Sequence, residues 1–231
     1  IIMKLFLTSF IILCALSSNA QLNLQELDFQ KIPQEEVRLF IRHQIDLNKT
    51  RFKDLHASYY PGVDLEIFNK HEKSYLIKAT PEEVWEAYTT KSPAICWNGK
   101  RFSFGVLVSK NKGTVMYKSD PYNGIQAGQV FFMNVGVMHN LETMAVGLEI
   151  VTVDPENKII EFSYVNGGNT RGLQQVELYK TKKGFTRVYH RTLFASESKF
   201  RDRYLYPFFH ERIIDEFHRN MRKRIFVAMH E

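Results

Sequence analysis

Apolar and polar residues alternate in three successive segments of the last third of the chain. This period of two is the pattern of half-buried antiparallel strands. Ile160, Phe162 and Tyr164 share one face of the first segment, and Val176 and Leu178 share one face of the second. On the third, Val188, His190, Thr192 and Phe194 lie together while Arg187 and Arg191 take the opposite face. The links between them, Asn166-Gly167-Gly168-Asn169 and Lys182-Lys183-Gly184, hold residue types that tolerate positive φ and therefore predict tight turns. The period then becomes helical. Phe209, Ile213, Phe217 and Met221 recur at four-residue spacing, with Ile214 and Ile225 widening the stripe. Pro207 is expected in the first turn of this helix, where a residue without an N–H is tolerated.

Upstream, residues 74–79 read as a strand running into Thr80-Pro81-Glu82-Glu83. That combines an N-cap threonine, a proline at the first helical position and a glutamate at the third. Val84, Trp85 and Tyr88 form the apolar side of the short helix that follows, and Ser92-Pro93 opens a further helical turn. Strands are predicted over 101–109, 114–119, 129–137 and 143–154. Turn sequences separate them at Asn111-Lys112-Gly113, at 120–124 and at Asp154-Pro155-Glu156-Asn157. Nearer the start, Pro33 with Glu35 and Glu36 marks a helix N-terminus. Val37, Phe40, Ile41, Ile45, Phe52 and Leu55 predict one helical face over 33–57, stopped at Tyr60-Pro61-Gly62. This helix is expected to pack outside the main domain or to cap it. The fold class is thus α+β: a curved antiparallel sheet wrapped around a long C-terminal helix, with an extra N-terminal helix.

Composition narrows the function classes. The chain has 231 residues, 44% of them hydrophobic, enough for one domain with an extension. Its net charge of +6 is not clustered into a nucleic-acid footprint, and no zinc-knuckle, RNA-binding or helix-turn-helix spacing accompanies it. Lys4, the apolar run 5–16 and the small residues Ser18 and Ala20 read as a signal peptide over residues 1–20, with Ile1 and Ile2 preceding the expected start at Met3. The run is shorter than the ~20 residues of a spanning helix. Leu13 before Cys14 argues against lipidation. Export to a periplasm or to the outside of the cell is therefore expected. The expected division is 21–72 as an N-terminal helical extension and 73–231 as the main domain. After cleavage Cys96 stands alone, so no internal disulfide is expected, and its apolar neighbours suit a buried small hydrophobe better than a nucleophile.

With the order strand, two short helices, six or seven antiparallel strands and a long helix in place, the chain resembles the START-like superfamily, also called the helix-grip or SRPBCC group. The resemblance is carried by Ala79-Thr80-Pro81-Glu82-Glu83-Val84-Trp85, which looks like the opening of those domains. Phe162-Ser163-Tyr164, Gly172 at the next strand and the arginine-rich helix over 207–224 are similar to an uncharacterised branch of the group. It covers about residues 73–226. It implies the helix-grip fold and an internal cavity, and cyclase relatives imply a histidine acting as acid or base.

Candidate chemistry is sparse. There is no Gly-rich phosphate loop, no Gly-x-Ser-x-Gly elbow and no His-Glu-x-x-His, so no catalytic residue and no cofactor is assigned. His210 and His218 lie eight residues apart on the last helix with no carboxylate between them on that face, and no metal site is assigned. His190, His210, Tyr164 and Phe217 are the expected ligand-binding residues, a few polar points in an apolar pocket. The plainer reading of both histidines is a core position tied to a backbone carbonyl. Arg212, Arg219, Arg222 and Lys223 form a solvated face that could also meet anionic lipid headgroups weakly. The function these features favour is non-covalent binding of an apolar or amphipathic small molecule. The alternatives are a cyclase- or hydrolase-like acid–base enzyme and an interaction module with a filled core.

Overall fold

One eight-stranded antiparallel sheet organises the described residues, 23–137 and 142–228 of a computed structural model. The expected signal peptide, with Cys14, lies outside them. The strands are β1 (Asn69–Ile77), β2 (Phe102–Ser109), β3 (Thr114–Met116), β4 (Gln129–Val137), β5 (Glu142–Asp154), β6 (Ile159–Tyr164), β7 (Arg171–Lys180) and β8 (Thr186–Ala195). Their order is β1-β8-β7-β6-β5-β4-β2-β3, so the first strand lies beside the last. Four helices accompany them: α1 (Glu35–Asp46), α2 (Pro81–Thr90), α3 (Pro93–Cys96) and α4 (Tyr206–Ala228). The sheet curves around α4, whose Phe217, Met221 and Ile225 are buried against Phe131, Leu148, Ile160, Phe162 and Val188. The predicted inward faces of β6, β7 and β8 are all buried, while Arg187 is exposed.

Helix α2 begins as its sequence requires. Thr80 Oγ1 accepts the Glu83 N–H at 3.3 Å, and Glu83 Oε2 accepts the Thr80 N–H at 2.7 Å. Losing such a cap typically costs ~1 kcal/mol. Thr80→Ala should therefore lower the unfolding free energy by that amount, moving the denaturant midpoint down with an unchanged slope, and an unaltered midpoint would remove the cap from the account.

The sheet is covered on both faces. A second apolar cluster lies on the side away from α4, where Leu24, Ile32, Val37, Ile41, Phe52 and Leu55 meet Val106, Val108, Val130 and Phe132. Strand β2 serves both clusters because its phase changes in mid-strand. Phe102 and Phe104 face α4, Val106 and Val108 face α1, and the register shifts between Phe104 and Val106. Gly105 stands at that bulge, where a Cβ would come within 2.9 Å of the Val37 side chain. A glycine is also required at 172: its φ is +129°, and a Cβ there would lie 2.0 Å from the Leu193 carbonyl oxygen.

Two helix boundaries differ from those the pattern predicts. The helix expected over 33–57 ends at Asp46. Asn48 adopts φ 60° and donates its N–H to Ile45 O, while Lys49 donates to Gln44 O, which together make a Schellman stop. Phe52 and Leu55 reach the same apolar cluster through a separate 3-10 turn. Pro207 is the second residue of α4, in its first turn as expected, but helical backbone does not start with α4. Helical backbone begins at residue 199, where Ser198 Oγ caps the Arg201 N–H at 3.2 Å, and continues through a π-turn, Arg201–Leu205, into α4. Pro207 has no N–H to give and crowds the carbonyl four residues back. The wider turn directly before it is where that irregularity is accommodated, the Tyr206 N–H reaching back five residues to Arg201 O.

Candidate functional site

Between α4 and the concave face of the sheet lies a cavity of about 240 Å³. Met133, Val135, Val146 and Leu148 of β4 and β5 form one wall, Phe209, Ile213 and Ile214 of α4 another, and Trp97 closes one end. The polar residues on the lining are Tyr164, Gln174, Tyr206, His210, Thr170 and Arg201. Arg201 is held at the rim, donating to Asn169 O at 3.0 Å and to Thr170 Oγ1 at 2.6 Å. Its guanidinium also lies 3.7 Å from the Asp202 carboxylate.

A file of six buried side chains runs from this lining into the core. Tyr88 of α2 contacts His218 Nδ1 at 2.7 Å, His218 Nε2 contacts His190 Nδ1 at 2.8 Å, and His190 Nε2 meets Gln174 Oε1 at 3.1 Å. Gln174 Nε2 donates to Tyr164 Oη at 2.9 Å, and Tyr164 and Tyr206 hydroxyls meet at 2.5 Å. The amide of Gln174 sets the direction of donation from Tyr88 as far as Tyr164. Gln174 Oε1 can only accept, so His190 Nε2 carries its proton and His190 Nδ1 accepts from His218 Nε2. His218 Nδ1 then accepts the Tyr88 hydroxyl. At the other end, Tyr164 accepts from Gln174, and one hydroxyl of the Tyr164–Tyr206 pair donates to the other. Burial supports this neutral arrangement: desolvation lowers His190 to about 3 and His218 well below the usual imidazole value. It also raises Tyr164 to about 12.

His210 is the exception to this economy. Its Nδ1 has one long contact, 3.4 Å to His71 Nδ1 on β1, and its buried Nε2 has no partner. The ring stacks on Tyr206, one turn earlier in α4, at 4.9 Å. Desolvation, reinforced by His190 and His71, holds it neutral.

Of the four residues expected to bind ligand, Tyr164 and His210 border this cavity. His190 stands one step behind it, tied to Gln174 and His218 side chains and not to a backbone carbonyl. Phe217 borders a smaller space of about 30 Å³ beside Tyr88, Tyr122 and Cys96, and stacks on Trp97 at 4.0 Å. Cys96 is buried and its thiol is pushed up to about 11. His218, Gln174, Tyr206 and Tyr88 were not among the residues expected to bind ligand. For His218 a signal existed, since eight residues from His210 is close to two helical turns. For Gln174 and Tyr88 there was none, because their meeting depends on how α2 and β7 approach α4. Among the described residues no three histidine, cysteine, aspartate or glutamate side chains are arranged to hold one metal ion.

This is the helix-grip architecture, with a cavity bordered by the gripped helix. No protein-family model and no curated protein matches the chain. Its structural neighbours share the fold at low sequence identity. A major latex-like protein 151 from Panax ginseng is 15% identical, with 68% of this chain covering 97% of that one at a TM-score of 0.51. A truncated norcoclaurine synthase from Thalictrum flavum is 12% identical, with 69% of this chain covering 94% of it at 0.52. The same synthase in complex with dopamine and hydroxybenzaldehyde is 11% identical, with 75% of this chain covering 95% of it at 0.51.

Proposed function

We propose that the protein binds an apolar or amphipathic small molecule, non-covalently, in the cavity between α4 and the sheet. The observation that carries this reading is the cavity itself, about 240 Å³ with largely aliphatic and aromatic walls. The apolar walls supply affinity at ~25 cal/mol per Å² removed from water, before ordering costs. The norcoclaurine synthase structure, with small molecules bound to this fold, supports the reading by analogy. A role outside the cytoplasm is part of the proposal and rests on residues 3–20 alone.

Acid–base turnover is less well supported by the same residues. A general base works best with a pKa near the operating pH. Burial holds His190, His210 and His218 neutral and far below that range.

Native mass spectrometry of protein purified from a lipid-containing host should show a co-purifying mass. In Val146→Phe, which places a ring in the cavity, that adduct should fall at least about ten-fold while the fold stands, as filling a ligand's space removes its contacts outright. An adduct equally abundant in wild type and Val146→Phe would place the ligand elsewhere, and no adduct after refolding in the presence of lipid would overturn the container reading.

A further inference from the structure

The helical segment that leads into α4 turns apolar rings outward. Phe200, Tyr204 and Phe208 follow at four-residue spacing and are 65%, 56% and 50% exposed, and Leu205 between them is 42% exposed. The Phe200 and Tyr204 rings lie 5.3 Å apart. Exposed apolar side chains are ordinary when scattered singly, whereas several gathered on one short segment mark a contact surface. Leu205 also lines the cavity, beside Arg201 and Tyr206, so the patch reaches the cavity rim.

Cations frame these rings. The Arg212 guanidinium lies 3.4 Å from the centre of the Phe208 ring, and that of Arg203 lies 5.4 Å from the centre of the Tyr204 ring. Lys199, next to Phe200 in the chain, is exposed. Two carboxylates of the segment are engaged elsewhere: Asp202 is buried and accepts the Ser196 N–H at 2.7 Å, and Glu211 accepts from Lys73 at 2.5 Å. That sets Glu197 against Lys199, Arg203 and Arg212. The surface thus offers apolar rings with positive charge held at their faces. A second copy of the chain would bring the same cations together, which opposes a symmetric pairing. A bilayer interface takes both parts, with hydrocarbon for the rings and phosphate for the guanidinium groups.

We propose that the segment 199–212 docks the protein on an anionic lipid bilayer, with Phe200, Tyr204 and Phe208 at the acyl boundary and Lys199, Arg203 and Arg212 among the headgroup phosphates. Docking in this way places the cavity rim at the membrane, where an apolar cargo enters or leaves. The docking stands on the surface alone, and the exchange of cargo rests on the container reading.

The test is co-sedimentation of the purified chain with vesicles of phosphatidylcholine and phosphatidylglycerol in equal parts, against vesicles of phosphatidylcholine alone. Wild type should partition at least about ten-fold more strongly into the anionic vesicles, since each cation near such a surface contributes about five-fold. Lys199→Ala with Arg203→Ala should remove most of that preference. Phe200→Ser with Phe208→Ser should lower partitioning into the anionic vesicles at least about ten-fold. Tyr204→Trp should bind as wild type does, and its emission should move to the blue when the anionic vesicles are added, which locates the contact on this segment. Val146→Phe, which fills the cavity, should dock as wild type does, so the docking survives a failure of the container reading. Where one double variant fails to fold, the other and Tyr204→Trp decide. Absent sedimentation, sedimentation unchanged in the double variants, or an unmoved Tyr204→Trp emission overturns the docking surface. A Val146→Phe chain that no longer sediments ties binding to the cavity and overturns it too. Light scattering that finds wild type dimeric and Phe200→Ser with Phe208→Ser monomeric also overturns it, because the patch then covers itself.

Discussion

Truncating Phe217 to alanine should cost about 3–5 kcal/mol of folding stability, the range for removing a buried aromatic ring. Phe217 lies where α2, α3 and the sheet converge on α4. It stacks on Trp97 at 4.0 Å and meets Tyr88 edge-on at 5.8 Å, and it is itself buried. Loss of the ring leaves Trp97 and Tyr88 facing a void beside an existing space of about 30 Å³, and collapse is resisted by neighbours on several different elements. Arg219, two residues on, is exposed, and Arg219→Ala should stay within ~0.5 kcal/mol. Urea denaturation of the two variants makes the comparison. Equal midpoints would mean that the packing around Trp97 carries no weight.

The second large effect is with pH. His190, His210 and His218 are buried and held below their ordinary value by desolvation, His190 to about 3. The sign follows from linkage. Above the unfolded value of about 6.5 both states are neutral at these sites and stability is complete. Below it the unfolded chain takes up protons that the folded chain refuses, so stability falls with falling pH until the folded values are reached. Each ring at full slope removes about 1.4 kcal/mol per pH unit, and the three together approach about 4. Domains are typically stable by ~5–15 kcal/mol, so the fold should fail well before pH 4. Paired carboxylates such as Asp54, Glu83 and Asp154, whose values are also lowered, lose their contribution only below about pH 4. A decline that begins near pH 6 therefore belongs to the histidines. Denaturant midpoints measured between pH 7.5 and 5 should show it, and His190→Gln should make the slope shallower. A midpoint flat across that interval would mean that the rings are charged or solvated in the folded state.

Most of the sheet was legible because its face toward α4 is buried and so writes its period directly into the sequence. Ile160, Phe162 and Tyr164, or Val188, His190 and Thr192, have only one set of neighbours each. β2 and β4 were legible as strands but not as strands buried on both sides. Phe131 and Phe132 sit side by side in the sequence, and only the arrival of α1 shows that both are inside. Helix ends were missed where a single residue set them. Asn48 stopped α1 by adopting φ 60°, a conformation that asparagine permits without announcing it. Pro207 marked the first turn of α4 but not the helical residues from 199 and the π-turn that precede it.

The site was half legible. His210 and Tyr164 were visible as polar residues on apolar faces. The polarity of the file behind them was not, since it depends on which atom of Gln174 faces His190. That is a property of contact between β7 and β8. Tyr206 was hidden for another reason: it stood within an aromatic run, 204–209, whose members divide between surface and core. Tyr204 and Phe208 are exposed, while Tyr206 is buried against Phe194.

The two-sided sheet also sets the order in which a growing chain can become complete. Residues 24–55 supply half of the second apolar cluster, yet the surface they cover is made by β2, β4 and Val165. Ser58 N–H waits for Tyr164 O, and Ala57 bridges to Val165. Leu24, Ile32, Val37 and Ile41 thus emerge during synthesis roughly a hundred residues before their partners, which at ~5–20 residues per second is an interval of about 5–20 s. Through that interval the first-made part of the chain carries its apolar face uncovered and depends on something other than its own fold to stay out of aggregates.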